Sequence, residues 1–397
     1  MAGLRIRDVR TICTAPGRSR LVVVKVETSE PELYGLGCAT FTQRPMAVVR
    51  AVEDYLRPLL LGRNPSDIED IYQSGYLSSY WRSGPVLNNA LSGIDEALWD
   101  LKGKLAGLPV YQLLGGRCRT AAPVYVHASG SSFEEVEEQV RAFQDEEYRF
   151  IRCQVAIPNS NTYGAASSDL PFDAATYLRL APRLFDHLRN RLGGDVELLH
   201  DVHERVAPVE AIRLAKDLEP YRLFFYEDPF SPEDIGYFPQ LRAQSATPIA
   251  MGELFVNQAE YVPLIKDRLI DFIRMHISDV GGLTMARKIA ALGEFFGVRT
   301  AWHGPGDVSP VGHAANVHLD LATPNFGVQE WAMPDDRLRE VFPGMPEIRH
   351  GMAWPNEAPG LGVDLNEALA ARYPFPEDRL GGAWPPVRGF DGTIVRP

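Results

Sequence analysis

The sequence predicts an α/β protein, in which a smaller α+β domain precedes a (β/α) barrel. From residue 121 onward, short runs rich in β-branched and aromatic residues alternate with helical patterns. The first 120 residues instead show a hairpin followed by helices. Eight strands that alternate with helices over about 210 residues are typical of a barrel. The predicted strands span residues 123–127, 150–154, 196–203, 223–228, 249–253, 272–278, 299–304 and 326–330.

The chain divides into three predicted parts. Residues 1–120 form the α+β domain, and the apolar stripe along residues 85–106 predicts a long helix within it. Residues 121–345 form the barrel. The remaining segment, 346–397, is rich in Pro and Gly and is expected to return to the first domain. A long Asn-, Ser- and Gly-rich connection at 155–171 is expected to form a lid over the active face.

Composition and charge argue against several classes of function. The 397 residues carry a net charge of −12 and the pI is about 5.3, which disfavours nonspecific nucleic-acid binding. The apolar runs are too short to cross a bilayer, and the first residues lack the apolar core of a signal peptide. The four cysteines are scattered without a Cys-x-x-Cys pair, as in a reduced protein without structural zinc. These features predict a cytoplasmic protein that binds neither nucleic acid nor membrane.

Three acidic residues recur at an even stride. Asp201, Glu227 and Glu253 each close an apolar run typical of a strand, and each step between them is 26 residues. That is about the length of one strand-loop-helix-loop unit, so three neighbouring parallel strands would each present a carboxylate at the same end. Converging carboxylates repel one another unless a cation lies between them, and an all-oxygen set suits Mg²⁺ or Mn²⁺ better than Zn²⁺. The spacing predicts a divalent metal site; three unrelated surface acids are the alternative.

Further polar residues fall at the ends of the other predicted strands. Side chains alternate between the two faces of a strand, so His203 is expected to lie beside Asp201. The active sites of barrels lie at the carboxyl ends of their strands. The residues expected around this barrel mouth are His127, Arg152, Asp201, His203, Glu227, Glu253, His303 and Glu330, with Asp307 following the seventh strand.

Nine stretches of the chain together carry a resemblance to a known family. They are GCATFTQRP, LSGIDEALWDLKGKLAGLPVYQLLGG, FIRCQ, HDVHER, YEDP, GELF, DFIRMHISDVGG, WHGPGDVSPVG and VQEW. On these stretches, nearly the whole chain resembles the enolase superfamily, and in particular its mannonate dehydratase-type subgroup. That subgroup includes D-galactonate dehydratase family members and starvation-sensing RspA-like proteins. The resemblance implies an enolase-like fold, a (β/α)7β TIM-like barrel closed by an α+β capping domain, and assembly as a homo-oligomer.

The resemblance also implies a metal and a base. One Mg²⁺ per subunit would be held by Asp201, Glu227 and Glu253. The proton next to a substrate carboxylate would be removed to give an enediolate, which the metal stabilises. Many relatives use a lysine base in a Lys-x-Lys pattern at the second strand, whereas this chain has Arg-Cys-Gln at 152–154. The resemblance implies that Tyr163, on the loop that follows, takes the role of base.

The remaining roles follow from the same resemblance. His203 would act as the general acid that protonates a leaving β-hydroxyl, so that water is lost and a 2-keto-3-deoxy acid forms. Arg152 would favour the tyrosine phenolate, since a neighbouring cation lowers a pKa that is about 10 in water. A salt bridge to Asp201 or Glu227 is the alternative role of Arg152. The residues expected to contact or support the substrate are His127, Arg274, His303, Asp307 and Glu330.

Three regions depart from the pattern of the subgroup. The first-domain loop has the sequence ATFTQRP, with Thr42 and Gln43 where active mannonate dehydratases tend to carry an Asn. The loop with Tyr163 is one residue shorter than usual, and the family's C-terminal tryptophan is missing from the end GTIVRP. These regions shape the sugar pocket rather than the metal site. Thr42 and Gln43 are therefore expected to contact a substrate that the sequence does not name.

The predicted function is a Mg²⁺-dependent dehydratase that acts on a hexonate such as D-gluconate, D-mannonate or D-galactonate. Two alternatives remain open. A racemase or epimerase would use the same enediolate, with His203 and Tyr163 on its two faces. A sensor or binding protein without activity on common acid sugars would fit the altered pocket loops.

Overall fold

The computed structural model describes residues 3–17, 19–160 and 170–396. The first part of the chain is an antiparallel three-stranded sheet in the order β1-β2-β3, covered by helices. Its strands are β1 (Ile6–Thr14), β2 (Leu21–Thr28) and β3 (Tyr34–Cys38), and its helices are α1 (Pro45–Arg50), α2 (Arg57–Leu60), α3 (Ile68–Leu77), α4 (Pro85–Ala106) and α5 (Val110–Leu113), with a π-helical segment Ala51–Leu56 between α1 and α2.

Helix α4 supports this sheet. It has Pro85 in its first turn and stops before Gly107, whose φ of 66° is the left-handed conformation that ends helices. Gly35 and Gly37 of β3 allow a close approach, because a Cβ at either position would overlap a backbone carbonyl of α4. The helix predicted over 85–106 is confirmed.

The barrel follows from residue 122. In the described part of the chain, seven parallel strands pair in sequence from β4 to β10. The eighth, β11, pairs with β4, and a bridge from Thr300 of β10 to Phe326, just before β11, closes the barrel. The predicted barrel is confirmed. The elements are β4 (Ala122–Gly130), α6 (Phe133–Asp145), β5 (Phe150–Val155), α7 (Ala174–Leu192), β6 (Glu197–Asp201), α8 (Pro208–Leu218), β7 (Phe225–Glu227), α9 (Phe238–Gln244), β8 (Ile249–Met251), α10 (Gln258–Lys266), β9 (Phe272–Ile273), α11 (Leu283–Phe296), β10 (Arg299–Thr300), α12 (Pro310–Ala322) and β11 (Gln329–Glu330).

The last part of the chain touches both domains. Its first hairpin pairs with the start of β4. The Thr14 hydroxyl donates to the Ala370 carbonyl at 3.0 Å, which ties this segment to the first sheet. Farther on, the Arg388 carbonyl accepts from the Phe172 amide at 2.8 Å, so residues near the end lie along the barrel. The elements are α13 (Asp336–Val341), β12 (Glu347–Arg349), β13 (Met352–Trp354), α14 (Glu367–Ala370), β14 (Val387–Arg388) and β15 (Ile394–Val395).

A membrane span requires a helix that is both long and strongly apolar. Among the described residues, no helix combines the two properties.

Candidate active site at the barrel mouth

A ring of polar side chains lies above an apolar layer inside the barrel. The apolar layer includes Tyr125, Leu199, Phe225, Phe272, Ala301 and Val328. Side chains alternate along a strand, so the residue two positions later projects into the same interior. From Phe225 this step leads to Glu227, and from Ala301 to His303. The ring obtained in this way contains His127, Asp201, Glu227, Arg274, His303 and Glu330, and Arg152 joins it from β5.

Strand β8 departs from this pattern. Two positions after its apolar residue Ala250 stands Gly252, with a φ of 136°. A Cβ there would lie 3.0 Å from the Met275 side chain, so the position accepts only glycine without rearrangement. The carboxylate of this strand therefore comes from the next residue, Glu253.

Asp201 and Glu227 are register partners on neighbouring strands, and both are buried. Arg152 lies against them: its Nη1 is 3.1 Å from Asp201 Oδ2 and 2.9 Å from Glu227 Oε1. The same nitrogen is 3.5 Å from Glu330 Oε1. The alternative role given to Arg152 from the sequence, a salt bridge to these two acids, is the contact observed.

Arg274 is completely buried beneath the carboxylates. Its Nη2 is 3.0 Å from Glu227 Oε1, and its Nη1 is 2.8 Å from Glu253 Oε2. It also forms an ion pair with Glu330. Since Arg274 has no exposed surface, it reaches the cavity only through the carboxylates that it holds.

Asp228 belongs to this cluster, although the sequence pattern did not point to it. Single carboxylate oxygens of Asp201, Glu227 and Asp228 lie within 4.8 Å of one another. Strand alternation would turn Asp228 away from its neighbour, but its φ of 38° ends the extended conformation there. Its Oδ1 accepts the Gly252 amide at 3.0 Å. The only sequence signal was its place directly after Glu227 in YEDP.

The charges at this mouth suit a divalent cation. Five carboxylates face two arginines, Arg152 and Arg274, among the described residues. Burial, and in addition the neighbouring carboxylates, raise the pKa of Glu227 and of Asp228 well above the usual range. A divalent cation would offset this repulsion, and oxygen donors are the ligands that Mg²⁺ prefers. The five are Asp201, Glu227, Asp228, Glu253 and Glu330.

His203 lies at the rim of this cluster, but strand alternation does not place it there. β6 ends at Asp201, and His203 has a left-handed φ of 54°. Its amide donates to Asp201 Oδ1 at 2.7 Å, and its Nε2 is 3.9 Å from Glu253 Oε1. The predicted proximity of His203 to Asp201 is confirmed, whereas the predicted reason, a shared strand face, is wrong.

A pair of histidines adjoins Glu253. His303 Nε2 is 3.3 Å from Glu253 Oε1, and His303 Nδ1 is 2.7 Å from His276 Nδ1. Burial opposes protonation of His303, but the neighbouring Glu253 and Glu330 carboxylates raise its pKa to about 9. Burial and the charge of His303 lower the pKa of His276 to about 3. A charged His303 therefore donates this hydrogen bond to a neutral His276.

His127 and Glu330 complete the floor of the site. The Nε2 atom of His127 is 2.8 Å from Glu330 Oε1, and its Nδ1 is 3.3 Å from Arg152 Nη2. The side chain of Glu330 is 1% exposed and that of His127 is 33% exposed. Of this pair, His127 is therefore the one that solvent reaches.

A cavity of about 380 Å³ opens above the carboxylates. That volume is within the range of small-molecule sites. Of the predicted substrate contacts, Thr42, Gln43, His303 and Asp307 line it, as do His203 and Glu253.

Trp384 is a wall of this cavity that was not predicted. Its ring stacks on that of His203, with centroids 6.1 Å apart and an angle of 27° between the planes. Gly382, two residues earlier, lies so close to the Thr42 carbonyl that a Cβ would overlap it. The signal was a tryptophan in the tail sequence GGAWPPVRG, but no local pattern connects that tail with residue 203. Tyr163, the predicted base, lies outside the described residues.

Comparisons with known proteins place this arrangement in a family. Residues 3–115 match the N-terminal domain of mandelate racemase / muconate lactonizing enzyme, and residues 135–369 match the enolase C-terminal domain-like model. D-galactonate dehydratase family members from Salmonella virchow and Pantoea ananatis are 54% and 55% identical, each over the full length of both chains.

A solved structure agrees with this placement. An enolase from Pantoea ananatis, with bound D-gluconate and Mg, is 54% identical and matches with a TM-score of 0.95 over the full length of both chains. The resemblance inferred from the nine stretches is confirmed. The chain thus belongs to the mandelate racemase / muconate lactonizing enzyme family of the enolase superfamily and, within it, to the D-galactonate dehydratase family.

Proposed function

We propose that this protein is a Mg²⁺-dependent dehydratase of acid sugars, a hydro-lyase that converts a hexonate to a 2-keto-3-deoxy acid. One observation carries the proposal: carboxylates from three successive barrel strands converge beside His203 under a cavity. A protein 54% identical to this chain has D-gluconate and Mg bound. D-gluconate is therefore the first candidate substrate.

Asp201, Glu227 and Glu253 would hold the metal. When bound, Mg²⁺ supplies positive charge that stabilises the negative charge developing on the substrate carboxylate. Arg152 and Arg274 keep these acids close together through the ion pairs described above. The same oxygen ligands accept Mn²⁺.

His203 is the proposed general acid. Its ring lies at the boundary between the carboxylates and the cavity, and Trp384 covers one face. In the reaction, a base removes the α-proton, the β-carbon–oxygen bond breaks, and His203 gives its proton to the departing hydroxyl, which leaves as water. The resulting enol then tautomerises to the 2-keto acid.

Tyr163 is the proposed base, with Arg152 as the cation that favours its phenolate. This assignment rests on the resemblance of the chain to its family. The described contacts of Arg152 add a second role, the orientation of Asp201 and Glu227.

The substrate would contact both domains. Thr42 and Gln43 of the first domain and His303 and Asp307 of the barrel line the cavity. His127, Arg274 and Glu330 lie below and are proposed to support the carboxylate end. Polar groups that line the cavity would bind the hydroxyls of the substrate, and the residues below would support its carboxylate. This division suits a substrate that has a carboxylate at one end and hydroxyls along its length.

A cytoplasmic location and assembly as a homo-oligomer complete the proposal. All four cysteines, Cys13, Cys38, Cys118 and Cys153, are free, as expected in a reducing compartment. Neither nucleic acid nor membrane is a proposed partner.

The test is to incubate the protein and Mg²⁺ with a library of acid sugars, beginning with D-gluconate. The 2-keto-3-deoxy product is detected by its reaction with semicarbazide. His203→Asn is expected to lower kcat by about 100- to 10,000-fold, as for loss of a general acid. His187→Asn is the matched control, because His187 lies on α7 and pairs with Glu137.

Exchange of the α-hydrogen for deuterium separates the alternatives. A dehydratase lacking His203 retains exchange without elimination, whereas Tyr163→Phe loses both. Racemised product without dehydration would favour the epimerase, and the absence of any exchange with all the acids would contradict an enzymatic role.

A further inference from the structure

Two histidines and an aspartate come together on one side of the cavity, beside the carboxylates proposed to hold Mg²⁺. One possible ligand atom from each of His276, His303 and Asp307 lies within 4.8 Å of the other two. The two histidines follow β9 and β10 and pair through a backbone bridge. We call these three residues the His-His-Asp cluster.

His303 is oriented as a metal-binding histidine. Its Nε2 is 3.3 Å from Glu253 Oε1 and 3.8 Å from Glu330 Oε2, whereas its Nδ1 is directed to His276. A histidine that binds a metal usually donates its other ring N–H to a carboxylate. The two carboxylates therefore leave Nδ1 as the nitrogen available to a metal, and their negative charge favours a cation nearby.

His276 offers a second nitrogen to the same point. Its Nδ1 is 2.7 Å from His303 Nδ1, so one proton lies between the two rings. A Zn²⁺ ion in place of that proton, with bonds of about 2.0–2.1 Å at the tetrahedral angle, would hold the nitrogens about 3.3 Å apart. His276 Nε2 has no hydrogen-bond partner in the described part of the chain, so no second hydrogen bond opposes this separation.

Asp307 supplies an oxygen to the cluster. Its Oδ1 atom is buried and has no hydrogen-bond partner among the described residues. Buried polar atoms nearly always have a partner, whether in the protein, an ordered water or an ion. The orphaned oxygen therefore indicates that a group outside the chain binds beside the two histidines.

The cluster is accessible from solvent, because all three of its residues line the cavity of about 380 Å³. An ion that enters this cavity can thus reach the three side chains. Three protein ligands also leave a fourth tetrahedral position open to water or to another ligand.

We propose that the His-His-Asp cluster is a second metal site, which takes Zn²⁺ or another transition metal while the barrel carboxylates hold Mg²⁺. Imidazole nitrogen suits Zn²⁺, whereas Mg²⁺ prefers oxygen donors, so the two sites select different ions. Two histidines and one carboxylate with an open fourth position are a recurrent zinc-binding set. The chain alone forms this site, so the proposal goes beyond the proposed function.

A metal in this site would exclude the substrate. His303 and Asp307 are proposed to contact the hexonate, so a bound ion and the substrate would compete for the same side chains. Zn²⁺ is therefore expected to inhibit the Mg²⁺-loaded enzyme competitively with the hexonate. This consequence, unlike the binding itself, rests on the proposed function.

The test measures the binding of Zn²⁺ to the full chain in saturating Mg²⁺, by competition with a chromophoric chelator. One Zn²⁺ per chain is expected, and Co²⁺ in its place should show the strong visible absorption of a four-coordinate site. His276→Ala is expected to raise the Zn²⁺ Kd by about 100-fold or more, since loss of a residue that only supports a ligand already costs about 10- to 100-fold. Asp307→Ala, at a less buried position, should act in the same direction.

Two further variants serve as controls. Asp201→Asn removes a proposed Mg²⁺ ligand and is expected to leave the Zn²⁺ Kd within a few-fold of the wild type. His187→Asn tests an unrelated pair of a histidine and a carboxylate, since His187 Nε2 is 2.8 Å from Glu137 Oε2 on outer helices. Thermal unfolding of each variant shows whether it is folded.

Three results would overturn the second metal site. The first is a chain that binds no Zn²⁺ once Mg²⁺ is saturating. The second is a Zn²⁺ Kd that neither His276→Ala nor Asp307→Ala changes. The third is Zn²⁺ binding that Asp201→Asn abolishes and the cluster variants retain, which would assign the ion to the carboxylates. Zn²⁺ binding is measured without substrate, so a failure of dehydration would contradict the proposed function alone.

Discussion

Buried ionic side chains control how closely the acids of the barrel mouth approach one another. Arg274 contacts Glu227, Asp228, Glu253 and Glu330 and has no exposed surface. A buried charge of this kind is costly to remove, because its partners remain behind without compensation.

Arg274→Met is therefore expected to destabilise the metal-free protein by about 3–5 kcal/mol. Added Mg²⁺ should recover part of the loss, since it restores positive charge among the same carboxylates. Urea denaturation with and without Mg²⁺ measures both effects. Equal stability of the variant and the wild type would mean that the arginine is dispensable to the fold.

A buried acid of the first domain also lies at the boundary with the barrel. Asp95 of α4 accepts the Thr284 amide of α11 at 2.8 Å through Oδ2. Burial raises the pKa of Asp95 to about 7. In the unfolded chain the carboxyl has a pKa near ~3.9, so the native state binds the extra proton. Its stabilising contribution is present at low pH and is lost as the pH rises through about 7.

Asp95→Asn is expected to remove this pH dependence, since an amide keeps the acceptor oxygen but does not ionise. Between about pH 5 and about pH 8, the wild type should lose on the order of 2–4 kcal/mol of unfolding free energy relative to the variant. Urea denaturation at the two pH values measures the difference. A constant difference between the two proteins would show that Asp95 keeps its ordinary pKa.

At the scale of elements, the tail after α14 forms part of the cavity. Ion pairing of Arg20 with Asp378 anchors it, and the close approach of Gly382 to Thr42 brings Trp384 over His203. Two domains and the tail thus build one wall, so a backbone change outside the barrel affects the substrate site.

Gly382→Ala is expected to shift the tail and to raise the KM for the hexonate by roughly tenfold, about 1.4 kcal/mol of binding. Gly381→Ala is the matched control: its φ of 61° is also left-handed, but a Cβ there meets no atom within 4 Å. Steady-state kinetics of both variants distinguishes the steric overlap of a Cβ at residue 382 with the Thr42 carbonyl from the backbone strain that both alanines introduce. An equal rise in both would assign the effect to strain alone.

At the scale of the whole molecule, the metal ion that the proposed reaction requires would also stabilise the folded state. The three proposed ligands come from β6, β7 and the turn that follows β8, so an ion bound between them joins separate parts of the barrel. A ligand that binds only the native state stabilises it by mass action.

Mg²⁺ is expected to add about 2.7 kcal/mol to the metal-free protein at one hundred times its Kd, with a corresponding rise in Tm. Asp201→Asn should abolish most of this rise. Glu137→Gln is the control, because Glu137 pairs with Arg141 and His187 on outer helices. Calorimetry of the chelator-treated protein measures the shift, and an unchanged rise in Asp201→Asn would contradict the ligand assignment.

The sequence by itself determined the barrel and the position of the three acids. Strand alternation and the length of a strand-helix unit are local properties, so the spacing alone places Asp201 and Glu227 on adjacent strands. Their positions at the ends of predicted strands likewise indicated that His303 and Glu330 lie at the barrel mouth.

Only the tertiary structure decided what surrounds these acids. His203 and Asp228 leave the strand conformation, so alternation does not describe them. The two arginines reach their partners across strands, and Trp384 reaches His203 from a residue 181 positions away in the chain. Such contacts depend on how distant segments pack, and that information is absent from any short stretch of sequence.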